Sequence, residues 1–232
     1  MPVAITVFAF IATLWRGSIE FATPMLFSLG MLAVFLIGGV TGIINGSAPA
    51  DIYVHDTYFV VAHFHYALIP PVLFSLFAGI YFWYPKMFGR SLNEMLGTIH
   101  FWFTFVFVNL TFLPQFRLGL LGHQRRIADP STLYSLGDVN EMHILSTIGS
   151  IGLLIGQVPF IVNFFGSLFA GKRAARNPWR ANTLEWSVES PPPHGNFDPM
   201  PVVYRGAYEY SRPDRGEDWW AQDAAPEKVP AR

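Results

Sequence analysis

Two histidines separated by a single residue stand inside an apolar run, HDTYFVVAHFHY, which extends from His55 to Tyr66. A histidine within a membrane-length apolar segment is costly and by default marks a functional site. At about 100° per residue on a helix, His63 and His65 point about 200° apart. They face opposite sides and cannot chelate one ion, but each can ligate a different centre, with Phe64 projecting between the two directions. Imidazole suits zinc, copper and iron alike. An apolar, aromatic-lined bundle with no nearby carboxylate favours haem iron, for which one axial histidine suffices. The competing use is a hydrogen bond between helices, which accounts for a lone intramembrane histidine more readily than for a pair on opposite faces. His100 and His143 fall at or near the ends of apolar segments and are read as structural.

The elements that must position this pair are membrane helices. Of the 232 residues, 52% are hydrophobic and 13% charged, against roughly 25% charged in an ordinary soluble domain. A hydrocarbon core about 30 Å thick needs roughly 20 apolar residues. Four segments qualify: Pro24–Gly46, Thr57–Tyr84, Asn93–Leu113 and Met142–Ala170. A fifth, Pro2–Leu14, is too short and lacks the basic start and cleavage site of a signal peptide. It is read as the remainder of a helix whose first turns are missing. The expected fold is all-α, a polytopic transmembrane helix bundle over residues 1–170. A polar cytoplasmic tail follows over 171–232, rich in Pro and Trp and extended along the membrane face.

Charge sets the orientation, because Lys and Arg stay on the cytoplasmic side. Arg16, then Lys86 and Arg90, then Lys172, Arg173, Arg176 and Arg180 alternate correctly as inside regions, and Ser47–Asp56, with no basic residue, lies outside. The loop from Gln115 to Val139 should also be outside, yet it carries Arg117, Arg125 and Arg126. A basic cluster on that side calls for a fixed anionic partner. Cysteine is absent, which excludes disulfides, thiolate metal sites and Cys nucleophiles. No clustered basic face suggests a nucleic-acid partner, and no internal repeat is found.

The run HDTYFVVAHFHY resembles the tenth-helix signature of subunit I of the haem-copper oxidases. The resemblance implies that His63 is the proximal ligand of the high-spin, oxygen-binding haem and His65 an axial ligand of the low-spin haem. It implies that Asp51, His55 and Asp56 belong to a loop meeting haem propionates and a magnesium or manganese ion. His55 and Asp56 would ligate that ion together with a carboxylate from subunit II. A second run, Pro114 to Arg126 (PQFRLGLLGHQRR), is similar to the family's PQHFLGLxGMPRR. It implies that Arg125 and Arg126 bind haem propionates, the anionic partner that the charge rule asks for. Asn177-Pro178-Trp179, Thr183-Leu184-Glu185-Trp186 and Pro191-Pro192-Pro193 are similar to the tail of bacterial members, so the likeness spans essentially residues 1 to 197.

The family has twelve spans, and this chain supplies about the last four and a half. The copper ligands and the second axial ligand of the low-spin haem would lie upstream. Thr6 stands where the family's proton-conducting eighth helix carries lysine, and Val3 where it carries threonine; Phe116, Gln124, Ile127 and Ile69-Pro70 are further departures. The expected function is a part of the catalytic subunit of a proton-pumping cytochrome c oxidase in a bacterial cytoplasmic membrane. Its cofactors would be two haems of the A type, copper, and magnesium or manganese. Its partners would be the upstream part of subunit I, subunits II and III, cytochrome c, oxygen and the lipid membrane. Tyr66 after His-Phe-His favours cytochrome c as donor over quinol; a quinol oxidase of the same superfamily and an inactive fragment are the alternatives.

Overall fold

The computed structural model describes residues 2–130, 137–206, 209 and 220–225. Eight α-helices are described: α1 (Pro2–Leu14), α2 (Thr23–Asn45), α3 (Ala48–Val54), α4 (Tyr58–Ala67), α5 (Ile69–Phe88), α6 (Glu94–Leu120), α7 (Gly137–Gly156) and α8 (Val158–Ala170). One 3-10 turn follows at Leu184–Trp186. Among the described residues there is no strand, only isolated bridges at Thr57–Gln124 and Arg90–Arg173. The all-α membrane bundle expected from the sequence is what the chain forms: 4 helical segments, Thr23–Asn45, Tyr58–Phe88, Glu94–Leu120 and Val139–Ala170, are long and apolar enough to cross a membrane.

Two of these segments are broken where proline interrupts the ladder. Prolines 70 and 71 open α5, where a missing N–H costs least, and the ladder resumes with Val72 N–H donating to Leu68 O at 3.1 Å. Pro159 likewise follows the step between α7 and α8, and the Gln157 side chain is held there by His100, Thr104 and Leu153. The long α6 differs from the sequence expectation in running past Pro114 to Leu120, so that residues 115–120 are helix rather than loop. The expected outer loop before the histidines also contains the short helix α3.

The chain divides into two compact units. The first comprises residues Phe21–Ile80 and Glu94–Asn163. In it α6 packs against α7, α4 and α2, and α4 against α2. The starts of α2 and α6 are tied together, since Glu94 accepts from the Thr23 hydroxyl at 2.8 Å and from its N–H. The core is aromatic: Phe27, fully buried, meets Phe74, Phe77, His100 and Phe101 at centroid distances of 5.5, 5.4, 4.9 and 5.2 Å.

The second unit comprises Met1–Glu20, Tyr81–Asn93 and Phe164–Arg232. Here the C-terminal segment is packed onto the end of α5. Lys86 donates to Val188 O at 2.7 Å and Glu189 O at 3.2 Å and lies 5.0 Å from the Trp186 ring. Trp179 Nε1 donates to Phe82 O at 2.8 Å, and Arg90 to Gly171 O at 2.7 Å. The buried Trp186 and these backbone bonds hold the segment as far as Glu189 in packed, largely irregular structure.

Candidate functional site: the histidine helix and its arginine loop

α4 carries both histidines and is only ten residues long, so its position is set by its neighbours. Thr57 caps it, its hydroxyl accepting from Phe59 N–H at 3.2 Å. On one side stands α2. A Cβ on Gly38 would fall 2.6 Å from Ala67 N and from Tyr66 C, and one on Gly42 would fall 3.0 Å from His63 Cε1. On the other side stands α6, where a Cβ on Gly119 would fall within 2.6 Å of the Phe59 backbone. Small residues at these points let the backbones approach, as is usual where membrane helices meet.

The two rings diverge as the helical period dictates. His63 faces α2, its Nδ1 3.1 Å from the Thr41 hydroxyl. That hydroxyl's single hydrogen is shared between Ile37 O at 2.9 Å and Gly38 O at 3.0 Å, which leaves a lone pair to accept from His63. His65 faces α6, stacked between Phe64 and Phe112 at 4.5 and 4.1 Å. Its Nδ1 lies 2.8 Å from Val61 O, and a carbonyl can only accept. Both rings therefore carry hydrogen on Nδ1 and keep the Nε2 lone pair, the tautomer that a metal-binding histidine adopts when its other nitrogen is pinned by a second group. The residues present thus fit the requirement for axial haem ligands. Next to His65, Tyr66 is fully buried and donates to Asn109 Oδ1 at 2.7 Å, which locks α4 to α6.

The polar residues before α4 gather at its start. His55 Nδ1 is 3.1 Å from Asp51 Oδ2, and His55 Nε2 is 3.8 Å from Asp56 Oδ2. Asp56 adopts a left-handed φ of 54° and binds Arg125 through its Oδ1, with Arg125 Nε at 2.8 Å. That hydrogen bond, with the Arg125 charge behind it, holds the Asp56 carboxyl below its ordinary range; the charges of His55 and Arg126 act in the same direction. The backbones meet as well. Tyr58 N–H donates to His123 O at 3.0 Å, and Arg125 N–H to Asp56 O at 2.9 Å, flanking the Thr57–Gln124 bridge. Arg126 is exposed. Among the described residues no three His, Cys, Asp or Glu side chains are grouped to hold a metal. Asp56 Oδ2 and His55 Nε2 make two donors, fewer than a hard six-coordinate cation requires. They fit a magnesium or manganese site only if further oxygen ligands come from outside this chain.

Asp51, His55, Asp56 and Arg125 are therefore brought together at the start of the helix that bears His63 and His65. Thr6 lies exposed on α1, in the other unit. His100, fully buried, donates from Nε2 to Gln157 Oε1 at 3.2 Å and stacks on Phe160, the structural part expected of it. Sequence reasoning missed His123. The signal was present, since the run reads Gly122-His123-Gln124 where the family pattern reads Gly-Met-Pro.

Fold and site together define an integral membrane helix bundle in which one helix offers an imidazole to each of two sides. The family model described as Cytochrome C and Quinol oxidase polypeptide I matches residues 1–155, and the chain belongs to that family. It is 50% identical over 210 residues to the cytochrome c oxidase subunit 1 of Synechocystis sp., covering 90% of this chain and 37% of that protein. It is 42% identical over 236 residues to the alternative cytochrome c oxidase subunit 1 of Bradyrhizobium diazoefficiens, covering 97% of this chain and 39% of the relative. The fold resembles that of a heme-copper terminal oxidase dimer solved by cryo-electron microscopy, with a TM-score of 0.57 and 23% identity over 65% of this chain and 27% of that one. The chain thus spans well under half the length of the relatives it matches, and corresponds to a C-terminal part of subunit I.

Proposed function

We propose that this chain is part of the catalytic subunit of a terminal cytochrome c oxidase and supplies axial ligands to two haems, His63 to the high-spin haem and His65 to the low-spin one. The observation that carries this reading is the pair of divergent imidazoles, each with Nδ1 engaged and Nε2 carrying its lone pair. When bound, the haems, of the A type, and a copper ion held by upstream residues supply the electron transfer and oxygen reduction.

This chain's own residues bind and orient. Thr41 and the Val61 carbonyl fix the two imidazole planes and tautomers. Phe112 and Phe64 stack on His65 and hold the plane of its ring. Arg125 and Arg126 neutralise haem propionates, with Asp51 in the same propionate loop. His55 and Asp56 offer a nitrogen and an oxygen to magnesium or manganese, completed by subunit II. Thr6 positions water in the proton supply with its hydroxyl, where a lysine would carry the proton itself. Residues 1–170 form the membrane domain and 171–232 a cytoplasmic tail. The remaining parts of this reading are the upstream portion of subunit I, subunits II and III, cytochrome c as donor, proton pumping and a bacterial cytoplasmic membrane.

The test is spectroscopic. In the assembled oxidase, His63→Ala should remove the high-spin haem and leave the low-spin one, and His65→Ala should do the reverse. Loss of the same haem from both variants would refute the assignment.

A further inference from the structure

We propose that His143 is a positioning residue, holding the arginine loop Gln124–Arg126 in place through the ring of His123. This rests on the propionate role proposed for Arg125 and Arg126. The chain leaves α6 after Leu120, turns at Gly122 with φ 83°, and is fastened by His123 N–H donating to Leu118 O at 3.0 Å. The His123 ring is then driven inward to 1% exposure. There its Nδ1 lies 2.9 Å from Gln124 O, and its Nε2 lies 3.0 Å from His143 Nε2 on α7.

The direction of these bonds follows from chemistry. A carbonyl only accepts, so His123 Nδ1 carries the hydrogen. Nε2 of the neutral His123 ring is then an acceptor, and His143 Nε2 must be the donor. Hydrogen bonds therefore run one way, from His143 to His123 to the Gln124 carbonyl, the residue before Arg125. Tyr58 packs edge-on against both imidazoles, at centroid distances of 4.9 and 5.4 Å, and its N–H holds His123 O. The loop so clamped carries Arg125 on Asp56 and Arg126 with φ 68°, a left-handed conformation that a non-glycine residue keeps only where its surroundings impose it. Without the His143 donor, His123 has a buried acceptor to satisfy elsewhere, and its ring has reason to rotate away from Gln124.

The experiment uses the assembled oxidase, with redox titration of both haems and amide hydrogen exchange of the peptide containing residues 122–126. An Asn amide at position 143 reaches as far as Nδ1 of the native ring, whereas a Gln amide reaches Nε2. His143→Asn should therefore lower the haem midpoint potentials in the same direction as Arg125→Gln and speed exchange in the loop, and His143→Gln should restore both. The double variant His143→Asn/Arg125→Gln should shift the potentials by less than the sum of the two. Should His143→Asn not assemble, His123→Asn asks the same question from the other side, since it keeps the donor toward Gln124 but loses the acceptor for His143; it should show the same lowered potentials. Native potentials and native exchange in the asparagine variant, with lowered potentials in Arg125→Gln, overturn the relay and leave the propionate reading standing. Native potentials in Arg125→Gln overturn the propionate reading, and loop exchange alone then decides whether His143 holds the loop.

Discussion

On the side of α4 that faces α2, His63 is steadied by a hydroxyl from another helix, across a surface kept thin by Gly38 and Gly42. On the side that faces α6, His65 is steadied by its own helix's Val61 carbonyl and by two aromatic rings. The first arrangement depends on helix-to-helix register: a small slide of α2 takes Thr41 away from Nδ1. The second survives such a slide, because the acceptor lies one turn back on the same helix. The hydrogen bond of one imidazole is thus set by tertiary structure and that of the other by secondary structure, although only one residue separates them in sequence.

The largest effect is expected from closing the gap on either side. Gly119→Ala and Gly38→Ala each place a Cβ against backbone rather than against a flexible side chain. Overpacking costs typically about 1–3 kcal/mol, and backbone that cannot yield puts these two at or above the upper end. Thermal unfolding of the assembled complex should show both variants strongly destabilised, with reduced haem content. Gly39→Ala, on the same helix but with nothing within 4 Å of the new Cβ, should be close to native. Equal stability of all three would mean that α4 is not wedged between α2 and α6.

A smaller, side-specific effect follows from the two orienting devices. Thr41→Val keeps the shape of the side chain and removes the acceptor for His63, leaving a donor without its partner at a cost of about 1–3 kcal/mol. Removing such a supporting partner typically lowers metal affinity about 10–100-fold. The spectrum of the high-spin haem should change and that of the low-spin haem should not. Phe112→Leu should do the opposite more weakly, since an aromatic pair is worth about 0.5–1.5 kcal/mol beyond its area. If Thr41→Val perturbs both haems equally, the two sides are not independent.

These contrasts also divide what the sequence revealed from what it hid. The opposed directions of His63 and His65 follow from helical period alone, and the four membrane-length segments from hydropathy, so both were legible. The pairing of Asp56 with Arg125 was half legible: charge on the wrong side asks for an anion, for which the family resemblance offers haem propionates rather than Asp56. Pro70 and Pro71 signal the break after Ala67, but the apolar run across it reads as one span. The extension of α6 past Pro114 ran against proline's usual effect and is supported by packing on α4 and α7, which no local pattern reports. The contact of His123 with His143 depends on the register of α6 against α7 and on a turn at Gly122; twenty residues of separation leave no periodic trace of it.

The smallest effect concerns pH and the carboxylate that stands just before α4. Asp56 is exposed and its pair with Arg125 is a surface pair, of a kind that contributes little on its own. Its carboxyl is nevertheless held below the ordinary value of 3.8 by Arg125. A group whose pKa is lower in the folded state stabilises that state above its unfolded pKa, and the contribution is lost as pH falls through the folded value. Between neutral pH and about pH 5 the Asp56 contribution should therefore be constant, and it should fade only below about pH 4. Asp56→Asn removes the charge at every pH, so its unfolding temperature should sit slightly below that of the native protein near neutrality. The two curves should converge under strongly acid conditions. The comparison is best made at low salt, where a surface pair is least screened. A native–variant difference that instead appears or vanishes near neutral pH would rule out the Asp56 carboxyl as its source.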